Sequence, residues 1–193
     1  MLAHVRPALV MMVLFTLLTG LAYPLAMTGL AQLVFPSAAN GSLMIRANTI
    51  VGSELVGQTF TSDRYFWPRP SAAGDKGYNA ASSSGSNLGP LSKKLIERVN
   101  GDVAALHKAG ATSPIPVDAV TASASGLDPH ISPTFAAQQV ARIAAARKIP
   151  EAQVRELVER ATEQPFLGLF GERRINVLRL NLALDAAPPP GAG

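Results

Sequence analysis

A serine, an aspartate and a histidine make up a hydrolase triad, and residues 120–133, VTASASGLDPHISP, contain all three residue types. In that interpretation Ser123 or Ser125 is the nucleophile, Asp128 orients the base and His130 is the base. Residues so close together in one loop seldom converge on the required geometry, and no G-x-S-x-G elbow exposes a strained serine. A membrane-anchored serine hydrolase is therefore an alternative interpretation of the chain.

The same stretch has the residues of a helix entrance. Asp128 followed by proline favours a turn, and Ser132 followed by Pro133 is typical of an N-cap and a first helical position. The hydroxyls either cap turn and helix amides, or they join the helix N-terminus in binding an anion or a partner. Under the second interpretation Ser125, Asp128 and His130 are candidate partner-binding residues.

A second candidate surface is the segment YFWPRPS at residues 65–71. Its prolines hold the preceding residues extended, and aromatic rings beside an arginine are typical of binding surfaces. The same aromatic residues are equally typical of a buried core. Tyr65, Trp67 and Arg69 are the binding candidates if the segment is exposed.

The sequence has few features of metal, nucleotide or nucleic-acid binding. The three histidines are scattered and the chain has no cysteine, so no metal site is predicted. No G-x-x-x-x-G-K-[ST] loop is present for a nucleotide, although a stand-alone nucleotide-binding module remains an alternative. The net charge of +4 comes from dispersed Lys and Arg, which does not indicate nucleic-acid binding.

These candidates follow an apolar segment at residues 8–35, from Ala8 to Phe35, that contains no ionisable acid or base. As a helix it would measure about 42 Å, enough to cross a hydrocarbon core of about 30 Å. The alternative is a cleaved signal peptide, but the apolar run continues well beyond an ordinary signal core. Gly20 and Pro24 predict a kink within the span, because Pro24 has no amide hydrogen to donate.

The charges flanking this segment indicate its orientation. Arg6 precedes the span, whereas Arg46 and Glu54 are spread over the residues after it. The positive-inside rule then predicts a cytoplasmic N-terminus and an extracytoplasmic domain, with the lipid bilayer as one partner.

The remainder predicts a small α+β domain over residues 36–185 and a disordered tail over residues 186–193. Residues 48–60 indicate a strand pair or a bent strand, and apolar periodicity predicts helices over residues 90–110, from Ser132 to about Lys148, and from Pro150. In INVLRLNLALD, residues 175–185, alternating leucines predict a half-buried strand.

Several motifs occur in the order of a known family: RPAL before the span, YFWPRPSA, YNAASSSGSNLGP, VTASASGLDPHISP, QVARIAAAR and GERRINVLRLNLALD. Together they closely resemble the small C subunit of the bacterial Kdp potassium-transporting P-type ATPase, over nearly the whole chain except the tail. The resemblance implies a noncatalytic accessory subunit in the bacterial plasma membrane. Its partners would be a potassium channel-like subunit and a P-type pump subunit, and K⁺ would be the ion transported.

The resemblance also implies a catalytic chaperone that raises the ATP affinity of the pump subunit. ATP would then act through that subunit, since this chain has no D-K-T-G-T phosphorylation motif. An extracytoplasmic domain would not meet ATP directly. Assembly and a role at the external gate therefore rank first, and modulation of ATP affinity ranks second.

Overall fold

The computed structural model describes residues 2–187, which form two compact units, one ending at Val51 and the other beginning at Gly52. Most of the predicted disordered tail, residues 188–193, lies outside the described residues. Within the described part, the apolar helix and the mixed helices and strands confirm the predicted α+β class.

The first unit is dominated by an apolar helix. Helix α1 (Leu2–Leu17) continues through a π-helical turn (Leu18–Ala22) into α2 (Tyr23–Val34). Together they form a helix long and apolar enough to cross a membrane, Ala3–Val34, 32 residues. The amide of Tyr23 bonds the carbonyl of Leu18, which places the wide turn directly before Pro24. The predicted irregularity near Gly20 and Pro24 is thus a π-helical turn, as expected where a proline removes a helical hydrogen bond.

The helix ends one residue earlier than the predicted span, because Phe35 leaves the helical conformation. The short helix α3 (Pro36–Ala39) follows. Strands β1 (Leu43–Arg46) and β2 (Thr49–Ser53) then form a two-stranded sheet. Ala47 and Asn48 between them both have positive φ, 48° and 62°, as a tight hairpin turn requires. Of residues 48–60, where a strand pair or a bent strand is predicted, only β2 is a strand, and its partner β1 lies before residue 48.

The second unit contains the predicted helices. These are α4 (Lys93–Lys108), α5 (Pro133–Arg147) and α6 (Glu151–Ala161). The hydroxyl of Ser132 accepts the amide hydrogen of Phe135 at 3.0 Å, so the predicted N-cap is confirmed. Lys148 ends α5 in the left-handed conformation.

The predicted strand over residues 175–185 is wrong for most of its length. Only the short β5 (Arg174–Asn176) is extended, and α7 (Val177–Ala186) follows it. The side chain of Asn176 caps α7 by accepting from the amide of Arg179 at 3.1 Å. Val177, Leu180 and Leu184 recur at three and four residues, so the leucine-rich sequence also satisfies a helical period, which tertiary packing selects.

A small antiparallel sheet joins these helices. Its strand order is β3 (His130–Ile131), β5, β4 (Thr162–Glu163). Ile131 pairs with Ile175 across β3 and β5, and both are buried. The core comes mainly from α5, α6 and α7, and Leu106 of α4 and Phe66 of the irregular 65–71 segment also belong to it. Its members include Phe66, Leu106, Phe135, Val140, Ile143, Val154, Leu180 and Leu184.

Candidate functional site

The two candidate segments meet in an ion-paired cluster, here called the Arg69–Asp128 cluster: Arg69, Thr121, Asp128 and His130. Arg69 Nη1 lies 2.8 Å from Asp128 Oδ2, and Arg69 Nε donates to the Thr121 carbonyl at 3.3 Å. Asp128 Oδ1 accepts the backbone amide hydrogen of His130 at 3.0 Å and lies 3.1 Å from His130 Nδ1. The structure therefore brings together Arg69, Asp128 and His130 of the predicted binding residues.

The electrostatics of the cluster favour an ionised Asp128. Burial acts to raise the pKa of this carboxyl, but the hydrogen bonds from His130 and the charge of Arg69 outweigh it and lower the pKa below its ordinary value. The neighbouring Tyr78 shows the opposite effect, since burial and the charge of Asp128 raise the pKa of its phenol. Asp128 is thus a carboxylate acceptor and Tyr78 a neutral donor at ordinary pH.

Close backbone contacts fix this loop arrangement. Tyr78 Oη donates to the carbonyl of Arg69 at 2.8 Å, and the Ser71 hydroxyl donates to the carbonyl of Gly126 at 2.6 Å. Gly126 has φ +67°, and a Cβ there would lie 2.6 Å from the carbonyl oxygen of Ser84. These contacts hold together three stretches of loop, which contain Arg69 and Ser71, Tyr78 and Ser84, and Gly126.

The serines of the stretch do not complete a triad. Ser123 Oγ lies 3.4 Å from Ser125 Oγ, and Ser125 Oγ accepts the amide hydrogen of Leu127 at 3.1 Å. Among residues 2–187, no serine hydroxyl hydrogen-bonds to His130, whose ring is bonded to Asp128. Ser125 is exposed and lies outside the Arg69–Asp128 cluster, so the geometry does not support the hydrolase interpretation.

The polar groups of Ser132, at the N-terminus of α5, are hydrogen-bonded within the domain. Asp118 accepts both the amide hydrogen of Ser132 at 2.7 Å and the Ser132 hydroxyl hydrogen at 2.9 Å. Because a carboxylate already occupies this N-terminus of α5, the arrangement favours capping over the binding of an external anion.

The segment around Tyr65 and Trp67 is built into the core. Phe66 is fully buried, and Arg142 lies over the Trp67 ring, 3.7 Å from its centroid. Tyr65 Oη donates to Asp185 Oδ2 at 3.1 Å. Phe66 therefore belongs to the core and Trp67 packs against it, while Arg69 belongs to the cluster. Partner binding by the half-buried Tyr65 and Trp67 stays a prediction.

Two clefts flank Arg69. One, of about 510 Å³, is lined by Asp128 and His130 together with Arg173 and Arg174. The other is about 590 Å³, and the charged and phenolic groups on its wall are Arg69, Asp75, Lys76, Tyr78 and Asp102. Both clefts carry acidic and basic groups together, an arrangement that suits a mixed-charge partner surface better than a polyanion.

Several residues of this region are not among the candidates predicted from the sequence. Tyr78, Asp118, Arg173 and Arg174 line the clefts or hold the loops, although none was a candidate. Tyr78 is the first residue of YNAASSSGSNLGP, and both arginines lie in GERRINVLRLNLALD. These three residues could have been chosen as candidates because they belong to the motifs that carry the family resemblance.

Comparison with known proteins identifies the family. Residues 5–186 match the family model KdpC, described as K+-transporting ATPase, c chain. A "Potassium-transporting ATPase KdpC subunit" of Polaromonas naphthalenivorans is 57% identical over 97% of this chain and 96% of its own length. The protein of the same name from Allorhizobium ampelinum is 56% identical over 97% of this chain and 98% of its own length. The one from Caulobacter vibrioides (strain NA1000 / CB15N) is 56% identical over 98% of this chain and 96% of its own length. The chain therefore belongs to the KdpC family of potassium-transporting ATPase subunits.

Proposed function

We propose that this chain is a noncatalytic accessory subunit that stabilises a Kdp-type potassium-transporting complex. Its apolar helix lies in the plasma membrane, and its second unit docks outside the cytoplasm on a channel-like subunit and a P-type pump subunit. ATP hydrolysis and the potassium pathway belong to those partners.

The proposal rests on one observation: the polar side chains of the motifs bond to other groups of this chain. Asp128 bonds Arg69 and His130, and Ser132 bonds Asp118 and Phe135. A reaction centre needs a nucleophile or base free to meet a substrate, whereas these groups hold loops in place. Such rigid loops, bordering mixed-charge clefts, suit a docking surface.

Modulation of ATP affinity is the second part of the proposal. The cleft of about 590 Å³ contains Arg69 and Lys76, but Asp75 and Asp102 share its wall. These carboxylates oppose the binding of a triphosphate. We therefore place any effect on ATP in contacts with the pump subunit, transmitted through the complex.

Co-purification tests assembly. With an affinity tag on the P-type pump subunit, the chain should be recovered with both that subunit and the channel-like subunit. Arg69→Ala, which removes the ion pair to Asp128, should reduce recovery, whereas the exposed Arg160→Ala should not. Recovery of the pump and channel-like subunits together, without the wild-type chain, would refute the proposal.

Labelling with a membrane-impermeant maleimide tests orientation, since the chain has no cysteine. Leu91→Cys, at a position 91% exposed in the second unit, should label in intact cells. His4→Cys, before the apolar segment, should label only after lysis. The reverse pattern would place the domain in the cytoplasm and favour direct contact with ATP.

A further inference from the structure

The connection between β4 and β5 ends in an exposed apolar tip: Phe166, Leu167, Leu169 and Phe170. These side chains are between 66% and 81% exposed. Large apolar side chains grouped in this way on a soluble surface usually mark an interaction site. The Arg69–Asp128 cluster does not use this tip.

The tip is a defined structure. The amide of Phe166 donates to the carbonyl of Phe170 at 2.9 Å, and the amide of Phe170 donates back at 3.0 Å. Between them Leu167 and Gly168 have positive φ of 53° and 72°, which closes the turn. A preformed loop loses less conformational entropy on binding than a disordered one.

The base of the connection is anchored in the domain. Glu163 pairs with Arg174 in the β4–β5 register, and Arg174 Nε lies 3.0 Å from Glu163 Oε2. The next pair, Thr162 and Ile175, places the fully buried Ile175 in the core. The apolar tip therefore projects from a strand pair fixed to the core.

The charges beside the tip indicate what covers it. Glu163, Glu172, Arg173 and Arg174 put two acids and two bases at its base. Because these four charges cancel, they give no net attraction to anionic lipid headgroups, whereas apolar and aromatic side chains with a mixed-charge rim are typical of protein interfaces. Arg173 and Arg174 also line the cleft of Asp128 and His130, so the tip is continuous with the docking surface proposed above.

We propose that the apolar tip inserts into an apolar recess, rimmed by polar groups, on the extramembrane surface of another subunit of the potassium-transporting complex. This inference rests on the proposed accessory function and assigns the contact to a particular segment. Aromatic and leucine side chains at the centre of such a contact exclude water, and the charged residues at the base set its register.

Single-cysteine labelling of the full chain tests the insertion. Leu167→Cys introduces the chain's sole thiol at a side chain that is 75% exposed, and Leu91→Cys is the matched control at 91% exposure. Maleimide labelling rates are compared for the chain alone and in the purified complex, both in nanodiscs. We expect Leu167→Cys to label at least about tenfold more slowly in the complex, as a buried interface centre would, while the rate for Leu91→Cys stays within about twofold.

A second variant keeps the inference testable if labelling disturbs the fold. Leu167→Ser with Leu169→Ser removes apolar area at exposed positions, and Trp67 fluorescence reports whether the fold is retained. We expect co-purification with the partner subunits to weaken by about tenfold or more, while Leu91→Ser has no effect.

The remaining outcomes separate the hypotheses. Equal labelling of Leu167→Cys in both states, with the wild-type chain co-purifying, would overturn this inference and leave the accessory function intact. Protection of the chain alone in nanodiscs but not in detergent would overturn it in favour of the bilayer, and concentration-dependent protection in favour of a second copy. Failure of the wild-type chain to co-purify would overturn the proposed function and this inference together.

Discussion

Asn181 in α7 holds the backbone of Phe66 through both polar atoms of its side-chain amide. The amide of Phe66 donates to Asn181 Oδ1 at 2.8 Å, and Asn181 Nδ2 donates to the Phe66 carbonyl at 3.1 Å. Gln139 in α5 holds Trp67 in the same way, at 2.8 and 3.2 Å. Two side-chain amides thus replace a neighbouring strand for a segment that belongs to no sheet.

Replacing Asn181 by alanine should lower the free energy of unfolding by about 3 kcal/mol, because two buried backbone groups lose their partners. Denaturant unfolding of the full chain in detergent, followed by the fluorescence of Trp67, the single tryptophan, measures this change. Asn100→Ala on the exposed side of α4 should change it by less than about 0.5 kcal/mol. Equal midpoints for the two variants would show that the Asn181 amide is dispensable.

Replacing Gly126 by alanine should also destabilise the domain. A Cβ there would meet the Ser84 carbonyl oxygen at 2.6 Å and the Ala73 nitrogen at 2.7 Å, at a φ of +67°. We expect a loss of about 2 kcal/mol or more from strain and displaced backbone. Gly101→Ala, inside α4 with nothing within 4 Å, should instead stabilise by up to about 1 kcal/mol. Thermal unfolding followed by circular dichroism should show a lower midpoint for Gly126→Ala and a higher midpoint for Gly101→Ala. A midpoint shift of the same sign in both variants would contradict this expectation.

The ionised state of Asp128 predicts a specific pH dependence. The folded protein lowers the pKa of this carboxyl, so on acidification the unfolded chain takes up the proton first. The contribution is fully present above the ordinary pKa of aspartate, about 3.9, and is lost as pH falls below it. The stability difference between wild type and Asp128→Asn should be constant near neutrality and shrink in acid.

Denaturant midpoints between pH 3 and pH 7 measure this difference. Asp75→Asn, which also removes one carboxylate but from an exposed position, is the matched control. A wild-type advantage over Asp128→Asn that grew with acidity would contradict the lowered pKa.

Arg142 should not tolerate lysine. Burial lowers the pKa of its guanidinium to about 10, so it stays charged near neutrality. It donates to the carbonyls of Asp63 and Tyr65 and to Gln139 Oε1, at 2.8, 3.1 and 2.7 Å, while covering the Trp67 ring. A lysine ammonium lacks this planar fork, so Arg142→Lys should cost about 2 kcal/mol.

A red shift of Trp67 emission should accompany that loss, because the ring becomes more accessible to water. Arg160→Lys, in an exposed ion pair with Glu156, should leave both the emission and the unfolding midpoint almost unchanged. Unchanged emission in Arg142→Lys would mean that the stacking does not shield the ring.

The candidate site was predictable only in part. Asp128 and His130 are two residues apart, so their contact is local and could be anticipated. Arg69 is 59 residues from Asp128, and their ion pair depends on how three loops pack. Ser125 lies outside the cluster, and its hydroxyl accepts the amide hydrogen of Leu127, a contact within the same turn.

Elements with local signals, such as caps and apolar periodicity, could be predicted from consecutive residues alone. The apolar helix follows from an uninterrupted run of apolar residues, and α5 from the Ser132 cap, Pro133 and helical periodicity. Long-range packing sets the conformation of residues 175–185, whose alternating leucines fit a strand and a helix alike. Val177 and Asn181 are buried on the same face as Leu180 and Leu184, and the Asn181 amide bonds the backbone of Phe66. A strand would turn Val177 and Asn181 to the opposite face from Leu180 and Leu184, so this burial selects the helix. Short-range hydrogen bonds and periodicity depend on residues close together in the chain, so they can be predicted from the sequence. The partners of a buried face come from distant parts of the chain and are known only from the folded structure.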